Sequence, residues 1–345
     1  MPARIPVKWL LFALLILAMV VALAFWILDS GRLDLSLAEL ENRYATPDSR
    51  FADVDGVRVH YMDQGEGPAV LLLHASFMNL RTWDSMARSL RGNFRVIRPD
   101  LLIAGLTGPE PSGDYTFDRN LELVDGLMNQ LGIERFAIVA TSSGGIVGFN
   151  YAARQPDRVS RLVLINSAGL PRTRTTDPNR GRRQGGIGRW IADRYQTPDK
   201  VRSLLALNFV PPNQPPDWLV AMNYDMWRRA GRRREAALQM QGFRTGDPQA
   251  VLAAIAAPTL ILWGLDNATV IHLEADVFQH WLVNAPTLLK KYPGVGHYLY
   301  LETPAVVEAD IKSFLSGELD GQLLEIRKVP YTADGLASSP ASSTN

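Results

Sequence analysis

Ser142 sits where the chain changes character. The stretch Phe136-Ala137-Ile138-Val139-Ala140-Thr141 is short, apolar and β-branched, and after Ser142-Ser143-Gly144-Gly145 it gives way to a helical segment running to Arg154. A strand that breaks sharply into a helix around a serine lifts the hydroxyl out of the sheet. It also aims the first backbone N–H groups of the helix at a reacting atom. The pentapeptide Ala140-Thr141-Ser142-Ser143-Gly144 departs from G-x-S-x-G by one methyl at its first position. A serine hydroxyl is inert at neutral pH until a base takes its proton. Five histidines could serve as that base, namely His60, His74, His272, His280 and His297. His297 ends the glycine-rich run Gly294-Val295-Gly296-His297, from which an imidazole can swing over the turn at Ser142. The plainer alternative is an ordinary turn serine. There are no cysteines, which excludes disulfides, thiolate metal sites and a cysteine nucleophile. The histidines show no H-E-x-x-H or similar spacing, so neither a metal nor a cofactor is expected.

Those side chains need a scaffold, and the apolar pattern supplies one. Arg50 to Asp53 and Val57 to Met62 alternate around Asp55-Gly56 as a hairpin. Buried strands are expected at 69–74, 94–97, 136–141, 159–165, 258–264 and 287–292. Helices are expected at about 80–90, 118–131, 146–154, 273–282 and 305–315. This alternation implies a doubly wound, mostly parallel α/β sheet. Between 169 and about 250 the strand pattern stops. Helical pieces there are broken at Val210-Pro211-Pro212 and Pro215-Pro216, and arginines cluster at 172–194 and 228–234. A solvated helix face is the plain account of those arginines; contact with anionic lipid headgroups is the sharper one.

Trp9 to Leu28 is an unbroken run of 20 apolar residues. At a rise of about 1.5 Å per residue it spans a hydrocarbon core of about 30 Å. Arg4 and Lys8 precede it and Asp29, Arg32 and Asp34 follow, so a cytoplasmic N-terminus is expected. The rest of the chain then lies on the far side, which is the periplasm in a bacterium. Ala22-Leu23-Ala24 resembles a peptidase site, and secretion after cleavage is the competing reading. The run continues past it through Leu28, which favours an uncleaved anchor. A net charge of +1 carries no nucleic-acid signature.

Taken together, residues of about 50–316 resemble the α/β-hydrolase superfamily. The resemblance rests on the strand ending in His74-Ala75, the turn at Ser142, the long insertion after the 159–165 strand, Trp263-Gly264, and Gly294-Val295-Gly296-His297. The chain then divides into an N-terminus (1–8), a transmembrane helix (9–28), a connector (29–49) and a tail (317–345) with a disordered composition at its end, and the resemblance implies a core in two parts (50–168 and 251–316) with a helical lid (169–250) after the sixth strand. It further implies a serine hydrolase of ester or similar acyl substrates, with Ser142 as nucleophile and His297 as base. His74 takes the loop-shaping place. The third member falls at Asp266 if the turn after Gly264 slips by one residue, and at Asn267 if it does not. Backbone N–H groups of Ser76 and Ser143 would form the oxyanion hole. The lid side chains Leu204, Leu205, Leu207, Phe209, Trp218, Met222, Trp227 and Met240 would shape an apolar acyl pocket. Ala75, Ile103-Ala104, Ala140 and Asn267 depart from the family pattern, and a degenerate hydrolase that binds a ligand or partner without turnover is the alternative.

Overall fold

A computed structural model describes residues 6–29, 34–171, 196–242 and 245–324. Eight strands form one sheet: β1 (Arg50–Val54), β2 (Val57–Gln64), β3 (Ala69–Leu73), β4 (Arg95–Pro99), β5 (Phe136–Thr141), β6 (Val159–Ile165), β7 (Thr259–Gly264) and β8 (Thr287–Tyr292). Their spatial order is β1-β2-β4-β3-β5-β6-β7-β8. The β1–β2 and β2–β4 pairs are antiparallel, and every pair from β4 to β8 is parallel. The hairpin turns at Asp55 (φ 48°) and Gly56 (φ 83°), both in the left-handed region that an Asp-Gly turn uses.

Among the described residues the helices are α1 (Val7–Asp29), α2 (Leu37–Tyr44), α3 (Asp84–Leu90), α4 (Phe117–Gln130), α5 (Ser143–Arg154), α6 (Pro198–Ala206), α7 (Asp217–Trp227), α8 (Arg232–Gly242), α9 (Pro248–Ala253), α10 (Leu273–Trp281), α11 (Leu299–Glu302) and α12 (Pro304–Leu315). The sheet is covered on both faces, and the period of two along β3 shows it. Leu71 and Leu73 join one core with Phe117, Leu121 and Phe149, while Val70 and Leu72 join the other with Trp83, Ile311 and Phe314. The helix expected at 80–90 divides, because Asn79 caps a 3-10 turn at Leu80–Trp83 before α3 begins.

α1 is long and apolar enough to cross a membrane by length and composition, and its apolar side chains are exposed in the folded chain. Within the connector, α2 begins at Leu37, where Ser36 and Glu39 form a reciprocal capping box that fixes its first turn. Helices α6 to α9 fill the insertion between β6 and β7. The basic stretch at 172–194 and the tail beyond 324 lie outside the described residues.

Candidate active site

The turn from β5 into α5 puts Ser142 at φ 52° and ψ −121°. This is a conformation that a residue with a Cβ adopts only when its surroundings force it. Two backbone bonds do so: Ser142 N–H donates to the Ile165 carbonyl (3.1 Å), and Ala168 N–H donates to the Ser142 carbonyl (3.0 Å). Ser142 is partly exposed, although the strand before it is buried throughout. The Ala140 methyl is accommodated because α5 presents Gly148 to it. A Cβ on Gly148 would lie 2.9 Å from that methyl carbon.

His297 arrives from a loop 155 positions later, with Nε2 2.9 Å from Ser142 Oγ. Asn166, Glu302 and Asn208 hold that loop. Asn166, fully buried, donates Nδ2 to the carbonyls of Gly296 (3.0 Å) and His297 (2.8 Å), while its Oδ1 accepts from Gly264 N–H (3.0 Å). Glu302 accepts from Gly296 N–H, and His297 N–H donates to the Asn208 carbonyl. Gly264 allows the close approach, since a Cβ there would meet the Gly296 carbonyl at 2.4 Å. In the sequence Asn166 has no assigned role. Its residue type is the available signal, because Asn tolerates the φ of 43° found there better than most residues. Asn166→Ala would leave one buried N–H and two carbonyls short of a partner. At about 1–3 kcal/mol for each orphaned group, a loss of roughly 3 kcal/mol in urea unfolding is expected. Unchanged stability would mean that the loop is held elsewhere.

The structure does not bring Asp266 to His297. Its carboxylate is exposed and accepts from Gly294 N–H (2.7 Å), because the turn after β7 makes no one-residue slip and the side chain points outward. Asn267 is the buried residue of that turn. Its Oδ1 accepts from the N–H groups of Thr269 (2.9 Å) and Val270 (3.1 Å). Among the described residues, Asn267 Nδ2 and His297 Nδ1 are both buried without a hydrogen-bond partner. If the serine hydroxyl donates to Nε2, the ring proton sits on Nδ1, where nothing receives it. Burial alone pushes the His297 pKa down to about 4, so the free imidazole is a neutral base across ordinary pH.

The other expected donors meet a different arrangement. Ser76 N–H and Ser76 Oγ–H both reach the Ser143 hydroxyl oxygen, at 2.6 and 2.7 Å. Ser143 N–H opens α5 and has no intrahelical acceptor. Buried His74 shapes this loop: Nδ1 lies 2.9 Å from the Ala75 carbonyl, and Nε2 accepts from Leu101 N–H (3.0 Å). Ala75 itself stays out of the left-handed region. Phe77 (φ 64°) and Ile103 (φ 62°) take that conformation instead.

A complete serine–histidine–aspartate chain exists away from Ser142. His60 Nε2 lies 2.9 Å from Ser49 Oγ, and His60 Nδ1 lies 2.6 Å from Asp100 Oδ2. It joins the segment before β1 to the middle of β2 and the end of β4. His60 and Asp100 are buried, Phe51 packs on the imidazole, and Ser49 Oγ already accepts from Thr46 N–H. The arrangement reads as a structural staple. His272 and His280 belong to the start and body of α10.

The arginines at 228–234 do not form a bare solvated face. Arg229 pairs with Glu235 in the interior, Arg233 binds Asp34 (2.7 Å), Arg232 lies 5.1 Å over the Trp227 ring, and Arg228 lies 3.7 Å from Asp225. Arg234 stays exposed. Nor do the apolar side chains of the insertion converge on one pocket. Leu205 and Phe209 pack into the core beside Val295 and Tyr298, while Leu204, Leu207, Trp218 and Met240 are exposed. Met222 turns to the connector, where it clusters with Leu35, Leu40, Leu106 and Met226. Leu35 exchanges backbone bonds with Arg228 and Ala230 (2.8 and 2.9 Å), and Tyr44 and Arg43 bind Asp225. Trp227 stacks on Phe77 in the Ser76 loop, with ring centroids 6.1 Å apart.

Comparison with known proteins gives a consistent frame. Residues 68–304 match a family described as having the alpha/beta hydrolase fold. The chain is 31% identical over 129 residues to the cis-3-alkyl-4-alkyloxetan-2-one decarboxylase of Shewanella oneidensis, which is 36% of this chain and 41% of that enzyme. It is 34% identical over 125 residues to haloalkane dehalogenase 2 of Mycobacterium tuberculosis, 35% of this chain and 42% of that one. The chain thus spans less than half the length of these curated relatives. A crystal structure of a membrane phospholipase A superposes with a TM-score of 0.67 at 24% identity, covering 90% of this chain and 99% of that one.

Proposed function

Because this chain belongs to the alpha/beta hydrolase fold family, we propose that it is a membrane-anchored serine hydrolase of ester or similar acyl substrates. The observation that carries the reading is the 2.9 Å approach of His297 Nε2 to Ser142 Oγ at a strained strand-to-helix turn. Ser142 attacks the acyl carbonyl as His297 takes its proton. The acyl-enzyme forms with loss of the leaving group, which receives that proton, and water then releases the acid. The haloalkane dehalogenase is a relative in sequence. Within the α/β-hydrolase resemblance, Asp at the nucleophile position is the mark of that activity, and this chain carries Ser142.

Asn267, buried in the turn beside the His297 loop, takes the third seat in this reading without accepting the Nδ1 proton, and the bonds from Asn166 and Glu302 to the loop hold the histidine in place. Helices α6 to α9 act as the lid over the two-part core. The span at 9–28 tethers the core on the far side of the membrane, and Arg234 with the stretch at 172–194 supplies contact with anionic headgroups. The apolar substrate class rests on the anchor and on the exposed Leu204, Leu207, Trp218 and Met240.

The test combines location and chemistry. Membranes bearing the full chain are washed with alkaline carbonate, treated with a fluorophosphonate, and the labelled peptide is mapped. The reading expects the chain to stay in the pellet and the adduct to lie on Ser142. An adduct elsewhere, or none, ends the nucleophile assignment, and a chain released by carbonate ends the anchor. The orphaned His297 Nδ1 and the occupied Ser76 N–H favour one alternative, a binding protein without turnover; it predicts no adduct at all.

A further inference from the structure

The proposed mechanism leaves the Ser143 hydroxyl unused. Its oxygen accepts both Ser76 N–H (2.6 Å) and Ser76 Oγ–H (2.7 Å). Those are the lengths at which a substrate oxygen would be held by the same N–H. The oxygen is carried by the residue whose own backbone N–H is the second expected donor, so it is tethered between the two.

We propose that the Ser143 hydroxyl is a built-in occupant of the oxyanion site, holding the Ser76 N–H until negative charge on the substrate displaces it. The inference rests on the Ser142 reading above and adds a positioning role to it. A neutral carbonyl and a neutral hydroxyl are acceptors of similar strength, so the arriving substrate gains little by competing for this N–H. An oxyanion is a stronger, charge-assisted acceptor. The exchange therefore goes forward as the tetrahedral charge develops. The hydroxyl swings aside by rotation about χ1, which partial exposure of Ser143 permits. Its effect is to withhold an N–H from the ground state and release it to the transition state, which is the direction that separates KM from kcat.

Inactivation of the full chain by the fluorophosphonate, whose P=O oxygen takes the oxyanion place, provides the test. In Ser143→Ala the N–H is free from the start. The concentration for half-maximal inactivation should fall about 3- to 10-fold, the worth of one net hydrogen bond, while the limiting rate stays within about twofold. Ser143→Thr, which keeps the hydroxyl, should reverse most of that fall in the half-maximal concentration. A fall of tenfold or more in the limiting rate of Ser143→Ala would make the hydroxyl a donor to the oxyanion and overturn the proposal. Unchanged constants would reduce the contact to local structure and overturn it equally. Mapped labelling of Ser142 in both variants shows that the nucleophile assignment stands whichever result is found; its absence in the wild type would remove that assignment and this proposal together.

Discussion

Alanine at position 142 should cut esterase turnover by about 10³-fold or more and abolish fluorophosphonate labelling, whereas alanine at position 49 should leave both in place. The contrast matters because the hydrogen-bonded chain through Ser49, His60 and Asp100 is the more complete of the two. Completeness is not what makes a nucleophile. Ser49 Oγ is held by the Thr46 N–H, and its histidine is sealed beneath Phe51. Ser142 instead rides a left-handed residue at the mouth of β5, beside the helix N–H groups that an oxyanion needs. Ser49→Ala should cost only stability, about 1 kcal/mol for one lost hydrogen bond, read from the urea midpoint. Turnover surviving Ser142→Ala, or vanishing in Ser49→Ala with the fold intact, would reverse the assignment.

Asn267→Asp should raise kcat, by about 100-fold, with the 10⁴-fold effect of the inverse change in another serine enzyme as the ceiling. One carboxylate oxygen inherits the Thr269 and Val270 N–H groups that Oδ1 now holds. The other replaces the unpartnered Nδ2 with an acceptor for the unpartnered His297 Nδ1. The turn that carries Asn267 packs on the His297 loop, with Asp266 N–H on the Val295 carbonyl (3.2 Å). The pH profile gives an independent sign. His297 must be neutral to accept the serine proton, and burial depresses its pKa to about 4, so kcat/KM in the wild type should hold through about pH 6 and fall only near pH 4. A carboxylate beside Nδ1 favours the imidazolium and moves that acid limb upward. An Asn267→Asp enzyme with the wild-type kcat and the wild-type limb would show that position 267 is not the histidine's partner.

The strands and the Ser142 turn were legible because a buried parallel sheet writes itself as short β-branched runs closed by turn residues, as in 69–73, 136–141 and 259–264. His297 was legible for the same reason, since few residues stand between β8 and the last helix. The choice between Asp266 and Asn267 was not. Neighbouring residues of one turn point in different directions, and the backbone bond from Leu265 N–H to Tyr292 decides which of them faces inward. Asn166 was invisible as a fastener because its three partners lie about 100 and 130 positions away. The arginines at 228–234 looked like a surface charge run, yet Asp225, Glu235 and Asp34 answer three of them. Asp225 and Glu235 stand within six positions of their arginines and were there to be read, whereas Asp34 comes from the connector, 199 positions away, and only tertiary structure brings it to Arg233.

The seam between the connector and the insertion ties orientation to access. Leu35 is knitted by backbone to Arg228 and Ala230, and Asp34 grips Arg233, only five residues after the end of α1. On its other side the same insertion leans on Phe77 through Trp227 and holds the His297 backbone through Asn208. Only residues 30–33 separate this joint from α1. In the proposed anchored protein, a pull on the apolar helix would therefore be felt, through the same joint, at the two loops that carry Ser76 and His297.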